Sequence, residues 1–245
     1  MKVLASDFDG TLFFGEEFRQ EDIKAIKEFQ KQGHLFGLCS GRPYKGAKKA
    51  SKGYIDFDFY IASSGALIVD NHDHILHEEC IDFELMKAIY TKYEKDCGVC
   101  VQGDGTIYRV FNKIELPELQ IIVDSLEDLK EVHIYGLSIN ARTEKNAKEK
   151  CQEINELFDG VSAYQNKEYI DIVKKGCSKG HAIDQLKELL NIEHIAGIGD
   201  SYNDLPLLQH ADHAFTFHTS PQVVKDTADD LVDSVSEAIH ILMDK

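Results

Sequence analysis

The chain has 245 residues, 43% of them hydrophobic, which suits one globular domain or a core with a smaller second domain. Its formal net charge of −16, from 27 basic and 43 acidic residues, argues against non-specific binding to nucleic acid or to anionic membranes. The N-terminus has no signal-peptide pattern, and no apolar run approaches the roughly 18 residues that span a bilayer. We therefore expect a cytoplasmic protein with no nucleic-acid partner and no membrane partner.

A short apolar strand opens the chain and ends in two carboxylates. Residues 3–5 are apolar, Asp7 and Asp9 follow two residues apart, and Gly10 breaks the strand. Residues i and i+2 of a strand face the same way, so these carboxylates are predicted to share one site. Like charges this close need compensation, and hard oxygen ligands suit Mg²⁺. A plain Asp-Gly turn is the alternative, since a second DGT at 104–106 lies in a hairpin pattern.

Helix and strand patterns then alternate over the first 82 residues. Ile23, Ile26 and Phe29 recur at helical spacing and predict a helix over 21–32, and a strand follows at 34–39. This strand–helix–strand order indicates a right-handed crossover and a parallel sheet. The other elements predicted here are a basic helix at 45–52, a strand at 57–62 and a hairpin of 66–69 with 75–77.

Histidines and cysteines in the chain raise two further metal hypotheses. His72, His74 and His77 lie in the polar tip and outgoing strand of the hairpin, where a solvated turn is favoured over a metal site. Cys97 and Cys100 form a CxxC pattern, but a zinc site needs a second pair and none exists. The six cysteines are therefore predicted to be reduced structural thiols.

The pattern changes at residue 83 and returns to alternating strands and helices at Lys179. The intervening elements do not alternate one for one, which favours an inserted α+β module with a largely antiparallel sheet at 83–173. Residues 1–82 and 174–245 are predicted to form an α/β core, a doubly wound, Rossmann-like parallel sheet. Within the module we predict helices at 83–95, around Pro117 and at 144–158, and strands near 99–102, 106–111, 132–141, 161–165 and 168–173. After it we predict helices at 179–190, from 206 and over 238–242, and strands at 194–199 and 213–217.

Ligands of doubly wound sheets bind at the carboxyl ends of the strands, which places Asp7, Ser40 and Asp200 at one edge. Ser40 beside Gly41 offers a hydroxyl and accessible backbone N–H groups for a phosphate, or else simply caps a turn.

Two further segments fit such an anionic ligand. Lys179 opens a helix, the unfavourable end for a cation unless an anion is to be neutralised. Gly199–Asp204 carries an acid cluster denser than a polar helix start requires.

Four segments together resemble the haloacid dehalogenase-like superfamily, and within it the Cof-type phosphatases that carry a type IIB cap. They are DFDGT at 7–11, LCSGR at 38–42, CSKG at 177–180 and GDSYND at 199–204. Their order and spacing are specific as a set, and the resemblance covers nearly the whole chain. It implies that the module at 83–173 is the cap, and that the Asp200 strand and the Ser40 strand flank the Asp7 strand.

The resemblance also implies a role for each matched residue. Asp7 is the nucleophile that forms an aspartyl-phosphate, and Asp9 is the general acid and base. Mg²⁺ is held by Asp7, Asp200 and the backbone carbonyl of Asp9. Lys179 is both a catalytic and a phosphate-binding residue, and the other phosphate-binding residues are Ser40, Gly41 and Asn203. Asp204 orients metal-bound water or Lys179.

Two segments depart from the Cof-type pattern, and the cap adds its own cations. Ser64-Gly65-Ala66 stands where relatives have Asn-Gly-Ala, and Ser220-Pro221 stands where they have Asn-Ala, so the family's substrate contacts are not carried over to these positions. Cap motion is expected at 81–82 and 174–176. Cap cations that could meet a substrate are Arg109, Lys113, Arg142 and Lys167.

The predicted function is Mg²⁺-dependent hydrolysis of a small phosphorylated metabolite, with sugar phosphates first. One alternative is a sugar phosphomutase on the same fold, whose phosphoenzyme outlives reorientation of the sugar. Another is a catalytically silent regulatory module, although the acids, Ser40 and Lys179 are all present. A receiver-like domain does not need an insertion of ~90 residues between its nucleophile and its lysine. Substrate and oligomeric state are left open by the sequence.

Overall fold

The computed structural model describes residues 1–15, 17–110 and 120–244. The strands are β1 (Val3–Ser6), β2 (Phe13–Phe14), β3 (Glu17–Phe18), β4 (Leu35–Cys39), β5 (Phe59–Ala62), β6 (Leu67–Asp70), β7 (Ile75–Glu78), β8 (Gly98–Gly103), β9 (Thr106–Val110), β10 (Gln120–Val123), β11 (Ile134–Asn140), β12 (Val161–Asn166), β13 (Tyr169–Lys174), β14 (Ala196–Ile198), β15 (His213–Phe217) and β16 (Asp230–Val232). The α-helices are α1 (Gln20–Lys31), α2 (Tyr44–Ser51), α3 (Phe83–Tyr93), α4 (Glu144–Leu157), α5 (Lys179–Leu190), α6 (Leu205–His210), α7 (Gln222–Lys225) and α8 (Val235–Asp244). Short 3₁₀ helices lie at Ser63–Gly65, Leu126–Leu129 and Tyr202–Asp204.

Eight strands form the sheet that we call the core sheet, in the order β16-β15-β14-β1-β4-β5-β6-β7. The strands from β16 to β5 are mutually parallel, and the β6–β7 hairpin adds an antiparallel edge. The predicted doubly wound parallel sheet is confirmed, and so is the expected placing of β14 and β4 on either side of β1.

Burial on both faces explains why β1 is a continuous apolar run rather than an alternating one. All four of its residues are buried. On one face Leu4 packs with Ile26 of α1 and Ala238 of α8. On the other face Val3 packs with Ile183 of α5. The carboxyl end of β1 is therefore held rigidly in the centre of the sheet.

Six strands form a second sheet, the cap sheet, in the order β10-β9-β8-β11-β13-β12. Its pairs are antiparallel except β9 with β10. One face packs under α3 and α4 through residues such as Val101, Ile139 and Ile172, while the alternate residues on these strands line a cavity toward the core sheet. The predicted inserted α+β module is confirmed as part of the fold, and its limits at 83 and 173 remain a prediction.

A bulge explains why apolar residues occur on both faces of β11. The register of β11 against β8 shifts between Ile134 and Gly136. Ile134 therefore lies in the same apolar cluster as Leu137 and Ile139, whereas Tyr135 packs into the core-sheet cluster. Strand β11 thus contributes to both hydrophobic cores, and Ile81 N donates to Ile134 O (2.8 Å) where the chain first crosses between them.

Several short elements were not predicted because each is too short to show a period. They are the β2–β3 hairpin directly after the first motif, strands β10 and β16, and helix α7. The predicted helix around Pro117 lies outside the described residues. In the part of the chain that the structure describes, no helix is long and apolar enough to cross a membrane.

The structure also shows where the residues of the histidine and cysteine metal hypotheses lie. His72 and His74 lie in an exposed turn, where His74 Nδ1 is 2.9 Å from Asp70 Oδ2. Neither these histidines nor the Cys97–Cys100 pair belongs to a cluster of metal-ligand side chains among residues 1–15, 17–110 and 120–244. No disulfide joins the six cysteines, all of which are described.

Candidate active site

Three sequence-distant residues meet at the carboxyl edge of the core sheet. Asp7 follows β1 directly, and its N–H donates to Ile198 O of β14 (2.9 Å). Lys179 opens α5, and its Nζ donates to Asp7 Oδ1 (2.5 Å) and to Asp204 Oδ1 (2.6 Å). All three side chains are at least 95% buried. The lysine is therefore a buried cation held by two carboxylates, as the sequence predicts for an anion-neutralising lysine at a helix start.

Asp204 also fixes the loop that carries Asp200. Its Oδ2 accepts the N–H groups of Asp200 and Ser201, each at 3.0 Å. Ser201 and Asp204 form a reciprocal capping box, so the helix-start interpretation of this segment is right as far as it goes. Because Asp204 bonds Lys179 as well, the same carboxylate ties the loop after β14 to the start of α5.

The geometry of the acids favours a cation beside them. One carboxylate oxygen from each of Asp7, Asp200 and Asp204 lies within 4.8 Å of the others. Burial, then the charge of Asp204, raises the pKa of Asp7, and the same two causes raise the pKa of Asp200 to about 6. Burial alone lowers the pKa of Lys179, but Asp204 and Asp7 raise it further than burial lowers it. The cluster thus holds three acids and one ammonium group, which bonds two of them, and the excess negative charge fits a divalent ion.

Asp9 lies in the same cavity but outside this cluster, which corrects the geometry expected from the sequence. Strand β1 ends at Ser6, so Asp7 and Asp9 are not alternate residues of a strand. The Asp9 side chain is about half exposed (47%) and accepts two 2.7 Å hydrogen bonds from Nε and Nη2 of Arg42. Sequence reasoning missed Arg42, whose position directly after Ser40-Gly41 was the available signal.

Gly10 lies in close contact with the acid cluster. Its φ is +92°, and a Cβ there would lie 2.7 Å from Asp200 Oδ2. Next to it, Thr11 Oγ1 donates to Asp200 Oδ1 (3.2 Å). The second DGT is different, because Asp104 and Gly105 both have positive φ and form the turn between β8 and β9, as predicted.

Three of the predicted phosphate-binding residues, Ser40, Gly41 and Asn203, line one cavity of about 510 Å³ together with Asp7, Asp9 and Asp200. Ser40 is buried, and its Oγ accepts the N–H of Arg42 (3.1 Å), so the serine also fulfils the turn-capping alternative. Gly41 and Asn203 lie in the same lining. The structure therefore brings Asp7, Asp9, Ser40, Gly41, Asn203 and Asp200 around a single space, with Lys179 and Asp204 directly behind Asp7.

The cap sheet closes this cavity with polar residues that the sequence did not single out. Gln102 Nε2 donates to Ser138 Oγ (2.8 Å) and to Gly41 O (3.2 Å), and Ser138 Oγ donates to Asp171 Oδ1 (3.1 Å). Ser64 Oγ lies 3.4 Å from Asp171 Oδ2. Burial raises the pKa of Asp171 to about 6. The available signal was the strand alternation, which puts these residues on the face opposite the apolar one.

The cap cations fall into different places. Arg109 and Lys167 line the cavity, Arg142 is exposed and is not part of the lining, and Lys113 lies outside the described residues. Arg109 is 93% buried, and its side chain makes no hydrogen bond or ion pair with any described residue; its Nε is buried without a partner. Gln102 Oε1 is likewise buried and unpartnered among them.

The two departures from the Cof-type pattern have different surroundings. Ser64 has φ +53° and reaches Asp171 of the cap sheet, so this position takes part in cap–core contact. Ser220 is buried beneath the Gly199 loop, where Thr216 Oγ1 lies 2.8 Å from Ser220 Oγ and 2.6 Å from Gly199 O. Ser220 does not line the cavity.

Comparison with known proteins agrees with this architecture. Residues 4–239 match the model of the haloacid dehalogenase-like hydrolase family, and the chain belongs to that family. A Bacillus subtilis protein named 5-amino-6-(5-phospho-D-ribitylamino)uracil phosphatase YcsE is 23% identical over 238 residues, covering 96% of this chain and 90% of the relative.

Solved structures are similar over nearly the full length. A haloacid dehalogenase-like hydrolase from B. subtilis has a TM-score of 0.87 at 20% identity, covering 99% of both chains. The subclass IIB sugar phosphatase BT4131 has a TM-score of 0.84 at 21% identity, covering 99% of both chains. The predicted family and the predicted enzyme class, a phosphatase, are confirmed.

Proposed function

We propose that this phosphatase is Mg²⁺-dependent and hydrolyses a small phosphorylated metabolite, with a sugar phosphate as the first substrate class, through an aspartyl-phosphate at Asp7. The observation that carries the proposal is the buried Asp7–Lys179–Asp204 arrangement at the bottom of the cavity. The names of the relatives, a sugar phosphatase and a phosphatase of a phosphoribitylamino-uracil, support substrates with a polyol or sugar part.

In the first half-reaction, Asp7 attacks phosphorus. A new bond forms between a carboxylate oxygen and phosphorus, and the bond from phosphorus to the leaving oxygen breaks. Lys179 holds Asp7 Oδ1 and so orients the carboxylate, while its charge offsets the charge of the transferring phosphoryl group. Ser40, Gly41 and Asn203, which line the same cavity, position the phosphoryl oxygens.

Asp9 supplies the proton for the leaving oxygen and later takes one from the water that hydrolyses the aspartyl-phosphate. In the structure this carboxylate is paired with Arg42 through two hydrogen bonds. Proton transfer to substrate therefore requires Asp9 to leave that pair. Arg42 lines the cavity as well, so its guanidinium is placed to contact the phosphoryl group or the leaving group.

Asp7, Asp200 and the backbone carbonyl of Asp9 are the proposed Mg²⁺ ligands, and Asp204 positions Asp200 and Lys179 without contacting the ion. The all-oxygen donor set fits a hard cation. When bound, Mg²⁺ neutralises negative charge that develops on the phosphoryl oxygens. Gly10 keeps this space open because any side chain there meets Asp200.

The cap sheet selects the leaving group in this proposal. Arg109, Gln102 and Asn140 lie on cavity-facing positions of three different strands, and two of them carry unpartnered buried polar atoms. A substrate with hydroxyl or anionic groups beyond its phosphate satisfies these atoms on binding. A cytoplasmic location remains part of the proposal, as does cap motion at 81–82 and 174–176.

The test is phosphate release from a panel of phosphorylated sugars, polyols, sugar acids and nucleotides, with Mg²⁺ and with EDTA. Asp7→Asn is assayed in parallel, with Asp226→Asn as a matched surface control. Turnover that needs metal and vanishes only in Asp7→Asn is expected. Release that survives in Asp7→Asn contradicts the assignment of the nucleophile, and transfer of the phosphoryl group to a second position on the sugar, without free phosphate, indicates a mutase instead.

A further inference from the structure

A second cluster of metal-ligand side chains lies where the chain crosses from the core sheet to the cap sheet. Glu78 is the last residue of β7, Cys80 follows in the crossing segment, and His133 directly precedes β11. One ligand atom of each lies within 4.8 Å of the others. The cluster thus joins the edge strand of one sheet to the central part of the other.

The donor set differs from that of the acid cluster. A thiolate sulfur, an imidazole nitrogen and a carboxylate oxygen together are the ligands of Zn²⁺, whereas Mg²⁺ takes oxygen ligands alone. Tetrahedral Zn²⁺ with bonds of about 2.0–2.3 Å needs its ligand atoms to be roughly 3.3–3.8 Å apart. Two of the three atoms are already close, since His133 Nδ1 is 3.1 Å from Glu78 Oε2.

Neighbouring groups hold two of these ligands in place. Tyr135 O–H donates to Glu78 Oε2 (2.8 Å), and Asp104 Oδ1 accepts the backbone N–H of His133 (3.2 Å). Such outer partners orient the ligands of natural zinc sites. His133 is largely exposed and Glu78 partly so, which leaves solvent access for a water molecule as the fourth ligand.

We propose that Glu78, Cys80 and His133 form a Zn²⁺ site that fastens the core sheet to the cap sheet. Binding breaks the S–H bond of Cys80, the sulfur electron pair forms the bond to Zn²⁺, and the proton goes to solvent. Because binding releases this proton, zinc affinity increases with pH. Because the ion contacts both sheets, zinc raises the melting temperature.

Cobalt distinguishes this site from the acid cluster, because the acid cluster has no sulfur ligand. We would titrate the reduced full chain with Co²⁺ in excess Mg²⁺ and record the thiolate-to-cobalt charge-transfer band in the near ultraviolet. One equivalent is expected to produce the band, and one equivalent of Zn²⁺ to remove it. Cys80→Ser abolishes the band, whereas Cys151→Ser, at another partly exposed cysteine, retains it.

Zinc affinity of the histidine variants completes the test. His133→Ala is expected to weaken zinc binding by more than the roughly 10–100-fold that follows loss of an outer partner, while the exposed control His194→Ala leaves it unchanged. The zinc-dependent rise in melting temperature disappears in His133→Ala and persists in His194→Ala. Absence of the charge-transfer band in the wild type, or its persistence in Cys80→Ser, overturns the proposal.

Discussion

The core-sheet wall and the cap wall of the cavity differ in how fully their buried polar atoms are hydrogen-bonded. At the core-sheet wall, Lys179 bonds two carboxylates, and Asp204 bonds two backbone N–H groups besides. At the cap wall, Arg109 and Gln102 are as deeply buried but keep polar atoms without a partner among the described residues.

This difference separates the chemistry from the choice of substrate. A buried network whose members are satisfied is rigid and holds the reacting groups in place before substrate arrives. Unsatisfied buried polar atoms cost free energy until a ligand pairs with them. A ligand whose polar groups match these atoms therefore binds more tightly. We infer that the core-sheet wall performs a reaction common to the family, whereas the cap wall determines which phosphate ester enters.

The largest effect is expected from breaking the core-sheet wall at its centre. Lys179→Met leaves Asp7 and Asp204 buried without their cation, which costs about 3–5 kcal/mol of unfolding free energy and abolishes turnover. Urea denaturation measures the first effect and phosphate release the second. Lys175→Met, at an exposed lysine paired with Asp159, is the control and changes neither. A Lys179→Met protein of wild-type stability contradicts the role given to this pair.

The contact between the walls has a pH dependence of its own. Burial raises the pKa of Asp171 from 3.8 to about 6. Between these values only the unfolded chain releases this proton, so the unfolding free energy falls as pH rises, by roughly 3 kcal/mol in total, and levels off above pH 6. Asp171→Asn lacks this decline.

Urea denaturation of wild type and Asp171→Asn at pH 4 and pH 7.5 measures the difference. At pH 7.5 the unfolding free energy of the variant is expected to have risen relative to that of wild type. At pH 4 the two unfolding free energies are expected to differ little. Identical pH slopes in both proteins contradict the burial of an ionising carboxyl at this contact.

Removing the cation of the cap wall sharpens the comparison, because it is expected to change binding but not chemistry. Arg109→Met loses a hydrogen bond to substrate worth about 1.5–3 kcal/mol, which corresponds to a rise in KM of roughly 10–150-fold with little change in kcat. Steady-state kinetics with the best substrate of the panel measures it. Arg142→Gln, an exposed cap arginine outside the cavity lining, is the control. A fall in kcat with unchanged KM assigns Arg109 to the chemistry instead.

The smallest effect tests the space around Asp200. Gly10→Ala and Gly53→Ala place a side chain at similar positive φ, +92° and +86°, and each costs about 1–2 kcal/mol of backbone strain. Only at Gly10 does the new Cβ meet the Asp200 carboxylate, since nothing lies within 4 Å at Gly53. Isothermal titration with Mg²⁺ is therefore expected to show weaker binding in Gly10→Ala alone. Equal affinity in both variants removes Asp200 from the metal site.

Sequence reasoning was most successful at the core-sheet wall, because its residues follow buried strands in a parallel sheet. Asp7, Ser40 and Asp200 each come directly after an apolar run, and parallel strands bring such ends to one edge. Lys179 was predicted from its unfavourable place at a helix start. For Asp9 the strand alternation does not apply, because β1 ends at Ser6, but Asp9 still lines the same cavity as Asp7.

The cap wall could be predicted only in outline. Helices α3 and α4 and most strands agree with their patterns within a few residues. Gln102, Ser138 and Asp171 were missed because polar residues at alternate strand positions read equally well as a solvated face. Which face is covered depends on how the cap sheet meets the core sheet, and the bulge at Tyr135, which places one residue of β11 in the core cluster, has no local sequence signal.

The nucleophile is identified by trapping the phosphorylated enzyme. The enzyme is quenched with acid during turnover, and borohydride then reduces an aspartyl-phosphate to homoserine. Peptide mass spectrometry locates the modified residue. We predict homoserine at position 7, dependent on substrate and Mg²⁺ and absent from Asp7→Asn. Homoserine at another aspartate, or turnover with no modified residue, would contradict the proposal that Asp7 is the nucleophile.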